Sequence, residues 1–362
     1  MEYCLTDLCE LIMGQSPDSS SCNKDGKGIP FYQGNADFGD KNPTPRNWCL
    51  QPKKIAKKDD ILISVRAPIG DLNIANEECC IGRGVAAIRM KSKECNRYYL
   101  YLFLESKSKY LQDCGTGSTF TAINKGVLET LKVNCPELKN QISIANEIEN
   151  IKTAIKYKNS ELLCLNETVQ SEFVEMFGDL DCNIKTIEQT CTMKSGTTFS
   201  KDEENDSGEI FYIKVSGMNL PENDKYIKTS LSFVSRKVAG KTIIPANSII
   251  FPKRGGAIGT NKKRITEQEI CIDLNTMAVT PSNELNIQYL YQYFQNLDMG
   301  KLYNGSTVPQ INNKDIGPLK IKVPPLELQQ QFAAFVQQID KSKFVVKQQI
   351  ADFQQLLDNK MQ

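Results

Sequence analysis

"GSTVPQINNKDIGPLKIKVPPLELQQQFAAFVQQI", residues 305–339, lies over "GSTFTAINKGVLETLKVNCPELKNQISIANEIENI", residues 117–151, at a constant offset of 188 with no gap. Gly117-Ser118-Thr119 matches Gly305-Ser306-Thr307, Ile123-Asn124 matches Ile311-Asn312, and Leu131-Lys132 matches Leu319-Lys320. Further on, Pro136 pairs with Pro324, Leu138 with Leu326, Gln141 with Gln329 and Ala145 with Ala333. One chance string cannot hold register this long, so the chain is a repeat and each copy is read against the other.

Weaker echoes lie upstream. "ILISVRAPIG" (61–70) resembles "IIFPKRGGAIG" (249–259), "YLYLFL" (99–104) resembles "YLYQYF" (289–294), and "MGQSP" (13–17) faintly echoes "SGTTF" (195–199). Order is kept while spacing drifts, as expected for one duplicated fold with free variation in its loops.

Two long helices follow the repeated string. The positions Ile144, Ile148, Ile151, Ile155, Leu162, Leu165, Val169, Phe173 and Met176 keep a three-and-four spacing, and Phe332, Phe335, Val336, Ile339, Val346, Ile350, Phe353 and Leu357 repeat it. That is coiled-coil periodicity. Pro136 and Pro324-Pro325 stand just before the helix starts, where a missing N–H costs least, and Gly178 stands where the first should stop. Periodicity alone also allows amphipathic helices packed on their own domains; placement after each repeat favours a mutual antiparallel pair. Within the repeats, 60–65, 84–90, 248–253 and 276–281 read as strands, and 97–112 and 287–297 as helices. The expected fold class is α+β: two tandem similar mixed α/β domains separated by two long antiparallel coiled-coil helices, with pseudo-twofold symmetry.

The 362 residues suffice for two or three domains, and 40% hydrophobic with 24% charged is ordinary globular composition. No signal-like segment opens the chain and no apolar run reaches membrane-spanning length, so no membrane partner and a cytoplasmic location are expected. Thirteen cysteines, an odd number without a Cys-x-x-Cys pair, read as buried, reduced and structural. The absence of histidine excludes a Ser-His-Asp triad, a Cys-His pair and ordinary zinc sites, so neither a catalytic residue nor a metal is expected.

With a net charge of +1, any nucleic-acid argument must rest on where charges sit. Lys225 to Thr266 contains no Asp or Glu but carries Arg236, Lys237, Lys241, Lys253, Arg254, Lys262, Lys263 and Arg264. Lys41 to Lys58 is likewise acid-free, with Arg46, Lys53, Lys54, Lys57 and Lys58. Both stretches fit a phosphate backbone, or alternatively a solvated face. Arg66 joins Lys253 and Arg254 as a candidate because both repeats place cations at that strand end. Tyr32, Gln33, Asn35, Asn47 and Trp48, and in the second copy Tyr212, Asn219, Asn223 and Tyr226, are interleaved nearby as candidate base readers, turn formers or core aromatics. "CGTGSTF" (114–120) lacks the Gly-Lys-Ser/Thr ending of a phosphate loop, and "VPPLE" (323–327) lacks the Asp/Asn and aromatic of an amino-methyltransferase tetrad.

Gly-Ser-Thr, Ile-Asn, a Leu-Lys strand and Pro-Pro-Leu-Glu leading into a Gln-rich helix, together with the tandem arrangement, resemble the specificity subunit of Type I restriction-modification enzymes over essentially the whole chain. The first copy departs with Pro136-Glu137 and Leu138-Lys139. The resemblance implies target recognition domains at 1–139 and 179–327, each reading half of a split double-stranded DNA site. The long helices at 140–178 and 328–362 would set the spacing and dock two methyltransferase subunits. Those partners would bring S-adenosylmethionine, with no cofactor bound by this chain, and restriction subunits could join. A helix of about 55 Å caps the separation at roughly 16 base pairs. The alternative is a coiled-coil scaffold whose globular repeats bind protein.

Overall fold

A computed structural model of the chain describes residues 1–116, 121–303 and 308–361. The Gly-Ser-Thr matches at 117–119 and 305–307 fall outside the described residues. Two compact units are present: residues 1–159 with 348–362, and residues 160–347. Their boundaries cut through the long helices, Leu138–Phe177 and Leu326–Met361, instead of falling at the helix starts.

In the first unit a four-stranded antiparallel sheet runs in the order Cys9–Met13, Val85–Met90, Ile61–Ser64, Leu72–Ile74. A second sheet pairs Ile29–Tyr32 with Cys79–Ile81 in parallel and with Asn47–Cys49 antiparallel. Glu2–Cys4 closes on Lys132–Asn134. The second unit repeats each device. Cys191–Ser195, Thr276–Pro281, Ile249–Pro252 and Arg264–Thr266 form the main sheet, extended by a fifth strand, Tyr226–Ile227, parallel to the last; Ile210–Ile213 lies parallel to Ile270–Ile272, and Asn183–Thr186 closes on Lys320–Val323. Alternating buried residues, Ile61 and Ile63 in one unit and Ile249 and Phe251 in the other, turn one sheet face to the main core and the next residues, Leu62 and Ile250, to a smaller core behind it. The sequence strands are found within one or two residues. The 97–112 helix breaks at Lys107 into Arg97–Ser106 and Ser108–Asp113.

The long helices satisfy both readings of their periodicity. In the first unit Ile144, Ile148, Ile151 and Ile155 pack with Phe353, Leu357 and Met361, and also against Tyr98, Tyr101 and Leu102 of the domain. In the second, Val169, Phe173 and Phe177 pack with Phe332, Val336 and Ile339 and with Tyr289 and Phe294. Start packs on end in one unit and end on start in the other, which is antiparallel pairing. Of the remaining stripe positions, Val346 is buried, and Leu162, Leu165 and Ile350 are half-buried.

A matched pair of amides fixes each helix start. Gln141 is fully buried; its Oε1 accepts from the Asn96 N–H at 2.8 Å and its Nε2 donates to Glu94 O and Pro136 O, both at 2.8 Å. Gln329 does the same with the Asn286 N–H at 2.8 Å, Glu284 O at 3.0 Å and Pro324 O at 2.8 Å. Asn96 and Asn286 in turn cap the helices Arg97–Ser106 and Ile287–Gln295. At the far end of the first long helix, the Lys322 ammonium donates to Phe177 O at 3.1 Å, the helix's last carbonyl, and to Gly178 O at 2.6 Å and Leu180 O at 2.9 Å in the turn beyond it.

All thirteen cysteines are free; seven are buried, four half-buried, and Cys4 and Cys164 are exposed. Burial pushes the thiols of Cys9 and Cys79 up to about 12. Above pH ~8.5 an unfolded thiol ionises while these keep their protons. Stability therefore falls as pH rises, by about 1.4 kcal/mol per pH unit for each such group. Urea midpoints followed by Trp48 fluorescence between pH 8 and 10 under reductant should decline, and Cys79→Ala should flatten the decline. No helix among the described residues is long and apolar enough to cross a membrane.

Candidate nucleic-acid interface

The two echoes at Arg66 and Arg254 are the same backbone corner. Past the strand Ile61–Ser64, Val65 O accepts from Ile123 N–H at 2.9 Å and Ala67 N–H donates to Thr121 O at 3.1 Å, with Arg66 bridged to Ala122. In the second unit Lys253 O accepts from Ile311 N–H at 2.9 Å and Gly255 N–H donates to Pro309 O at 2.9 Å, with Arg254 bridged to Gln310. The offset of 188 holds at every atom pair. The Ile-Asn motif that follows the repeat is thus explained: Ile123 and Ile311 are the buried residues that bond the corner, and Asn124 and Asn312 cap the short helices after them.

Beside the corner, Gly14 and Gly196 are required by close approach. A Cβ at Gly14 would lie 2.2 Å from Gly82 O, and one at Gly196 would lie 2.1 Å from Asp273 O. The faint echo of 13–17 with 195–199 therefore has a steric cause. Gly84 O accepts from Val65 N–H at 2.9 Å while Gly84 N–H donates to Gln33 O at 3.1 Å, which gathers Arg66, Arg83 and Gln33 at one end of the first sheet, all exposed. Arg83 was not among the sequence candidates, since a single arginine in the turn "GRG" (82–84) makes no charge run; its signal is its place between two strands.

The long acid-free run does not form one basic patch, because its cations find carboxylates and carbonyls from elsewhere. Lys263 is fully buried, its Nζ donating to Leu297 O and to Asn261 Oδ1, both at 2.8 Å; desolvation lowers it to about 8. Lys253 is buried on Ser195 Oγ at 2.7 Å, and burial followed by the Arg254 charge lowers it. Lys263 is wholly enclosed and Lys253 nearly so, each ammonium held by groups of its own domain, so the expectation that they meet phosphate is corrected. Arg236 pairs with Glu269 at 2.7 Å, Lys262 bonds Asn219, and Arg264 is half-buried with Nη1 on Lys263 O at 2.9 Å. Lys53 pairs with Asp18 at 2.6 Å, and Arg46 approaches Asp37 at 4.0 Å. Lys54, Lys57, Lys58, Arg66, Lys237 and Lys241 are exposed with no carboxylate within 4 Å among the described residues, and Arg254 is half-buried with its Nε lacking a partner.

Of the candidate base readers, Tyr32, Tyr212 and Asn223 are buried. Asn223 donates to Gly217 O and Thr229 O and accepts from Lys228 and Thr229 N–H, so it builds a turn. Tyr226 is half-buried on Gln288. Gln33 and Asn219 are exposed, and Asn35, Asn47 and Trp48 are half-buried. Among the described residues no group of three Cys, Asp or Glu side chains is arranged for a metal.

A mixed domain that occurs twice, each copy closed on parts of two long helices and each carrying the same arginine corner, defines a duplicated recognition module. The family model of the Type I restriction modification DNA specificity domain matches residues 1–164 and again 180–356, and the chain belongs to that family. It is 42% identical over 152 residues to a putative type I restriction enzyme MjaX specificity subunit of Methanocaldococcus jannaschii, a match covering 42% of this chain and 36% of that protein. It is 25% identical over 369 residues to the type I restriction enzyme MjaIX specificity subunit of the same organism, covering 92% of this chain and 85% of that one. The fold is shared with the S subunit of a Type I restriction-modification system from M. genitalium (TM-score 0.58, 16% identity, 100% of this chain and 94% of that one). A chain from a type I R-M system studied for complex assembly and conformational transition is similar as well (TM-score 0.67, 14% identity, 100% and 96%).

Proposed function

We propose that this chain is the DNA-reading subunit of a cytoplasmic Type I restriction-modification assembly. Each domain would read one half of a bipartite double-stranded site, and the helix pair would dock two adenine methyltransferase subunits. S-adenosylmethionine would be held by those partners, restriction subunits could join them, and this chain would contribute recognition in place of catalysis. The observation that supports this best is the family model matching twice, over two units whose backbone corners are superposable bond for bond. At the first corner, an arginine can contact phosphate or read guanine, and an amide can read adenine.

The test is co-expression with the methyltransferase and mapping of methylated adenines across the host genome. A split motif with two unlike halves and a fixed gap is expected, and exchange of residues 179–327 should alter one half only. No new methylation from a soluble complex would overturn the reading in favour of protein binding.

A graded prediction concerns Arg66 and Arg83. Arg66→Ala with Arg83→Ala should weaken duplex binding and lower the slope of log affinity against log salt by about 2, roughly 0.9 per lost phosphate contact. Fluorescence anisotropy over a salt series measures it, and an unchanged slope would remove the corner from the interface. Lys237→Ala, far along the chain in the second unit, tests independently whether that domain contributes.

A further inference from the structure

We propose that a basic cleft at the root of the first long helix, present in the first unit alone, docks an acidic, apolar-anchored segment of a partner protein, once per chain. The cleft has a volume of about 580 Å³, and Lys57, Lys58, Lys93, Arg89, Arg97 and Leu138 are among the residues lining it. Its two carboxylates are already held. Arg97 Nη1 lies 3.0 Å from Asp59 Oδ1, and Arg89 grips the buried Asp60 through Nη2 at 2.8 Å and Nε at 3.1 and 3.2 Å. Lys57, Lys58 and Lys93 are exposed and have no carboxylate within 4 Å among the described residues. Five cations against these two carboxylates and Glu10, whose Oε2 lies 3.5 Å from Arg89 Nη1, leave two positive charges facing the opening.

The second unit has the same turn without the charge. Asp59 and Asn247 both hold positive φ, 75° and 60°, at matching positions. The Asp60–Arg89 ion pair is replaced there by Ser248 and Thr280, hydroxyl to hydroxyl at 2.7 Å. Lys57-Lys58 becomes Pro245-Ala246, and, counting from the matched caps Asn96 and Asn286, Lys93 becomes Asn283 and Arg97 becomes Ile287. The scaffold of the turn needs none of these lysines, so their presence in one copy has no structural explanation in the fold.

Two features favour a protein segment over a phosphodiester. Leu138, which lines the cleft, is exposed, as is Ile142 one helical turn further along the same helix, and they offer apolar contact that a phosphate chain cannot use. The cleft also lies at the Ile61 end of the sheet, whereas Arg66 and Arg83 lie beyond its Ser64 end. Apolar anchors beside uncompensated lysines complement a segment that alternates Asp or Glu with Leu or a similar side chain. Burial of the anchors would supply affinity and the lysines orientation.

The proposal rests on the assembly inferred above and is tested apart from it. A photoreactive benzoylphenylalanine at Leu138 of the full chain, assembled with its methyltransferase and restriction subunits on duplex DNA, should crosslink to an Asp/Glu-rich stretch of one subunit. Lys57→Glu, Lys58→Glu and Lys93→Glu together should cut that yield at least tenfold, with Trp48 fluorescence reporting that the unit stays folded. The same crosslinker at Leu326, the matching exposed residue of the second unit, should not give this product. Crosslinking to DNA, an equal product from Leu326, or no product from an assembly that forms would each overturn the proposal. Absence of methylation would count against the DNA-reading function and leave the crosslink result standing.

Discussion

Phe332→Ala is expected to destabilise the second unit by about 3–5 kcal/mol, the usual cost of removing a buried aromatic ring. Phe332 is fully buried and touches two rings edge-on, Phe173 at 5.5 Å between centroids and Phe177 at 5.7 Å, which in turn pack on Tyr289 at 5.3 and 4.8 Å. These rings come from both long helices and from the helix Ile287–Gln295. One truncation therefore loosens the helix pair and the domain together. Differential scanning calorimetry should show the loss, and Phe332→Leu should recover part of it by refilling the volume. A change below about 1 kcal/mol would mean the cluster repacks freely.

Gln141→Leu and Gln329→Leu should each cost about 2–5 kcal/mol, since each strands one N–H and two carbonyls; a fully buried group costs roughly 1–3 kcal/mol, and most of these are part-buried and cost less. The single tryptophan lies in the first unit. Its urea midpoint should therefore fall with Gln141→Leu and respond far less to Gln329→Leu. The functional consequence would be as large: each amide ties the start of a long helix to the cap of a domain helix, so its loss would let that domain swing on its helix. Methylation by the Gln141→Leu assembly should then relax its preference for one gap length. Equal midpoint shifts from both substitutions would show that the two units unfold together.

The matched string was sufficient to predict that Gln141 and Gln329 are equivalent, and the repeat alone paired Arg66 with Arg254. Why an amide sits there was not visible, because its three partners lie five to 47 residues away along the chain. The charge run from Lys225 to Thr266 misled more seriously. Lys225 finds Asp340 at 2.5 Å, Arg236 finds Glu269, and Lys263 is buried against a carbonyl 34 residues on. A stretch without acids says nothing about the acids that folding brings beside it. Arg83 shows the converse, since a lone cation between strands joins Arg66 only when the sheet forms.

Duplication, strand and helix positions, and the buried stripe of each long helix follow from the order of residues, because hydrophobic period and repeat register belong to neighbours along the chain. Which cations face water, and which of two matching turns carries a basic cleft, depend on contacts between residues far apart in sequence. Desolvation and ion pairing act through space, and in this chain they divide one run of lysines and arginines into buried struts, paired surface charges and the few that remain available to a partner.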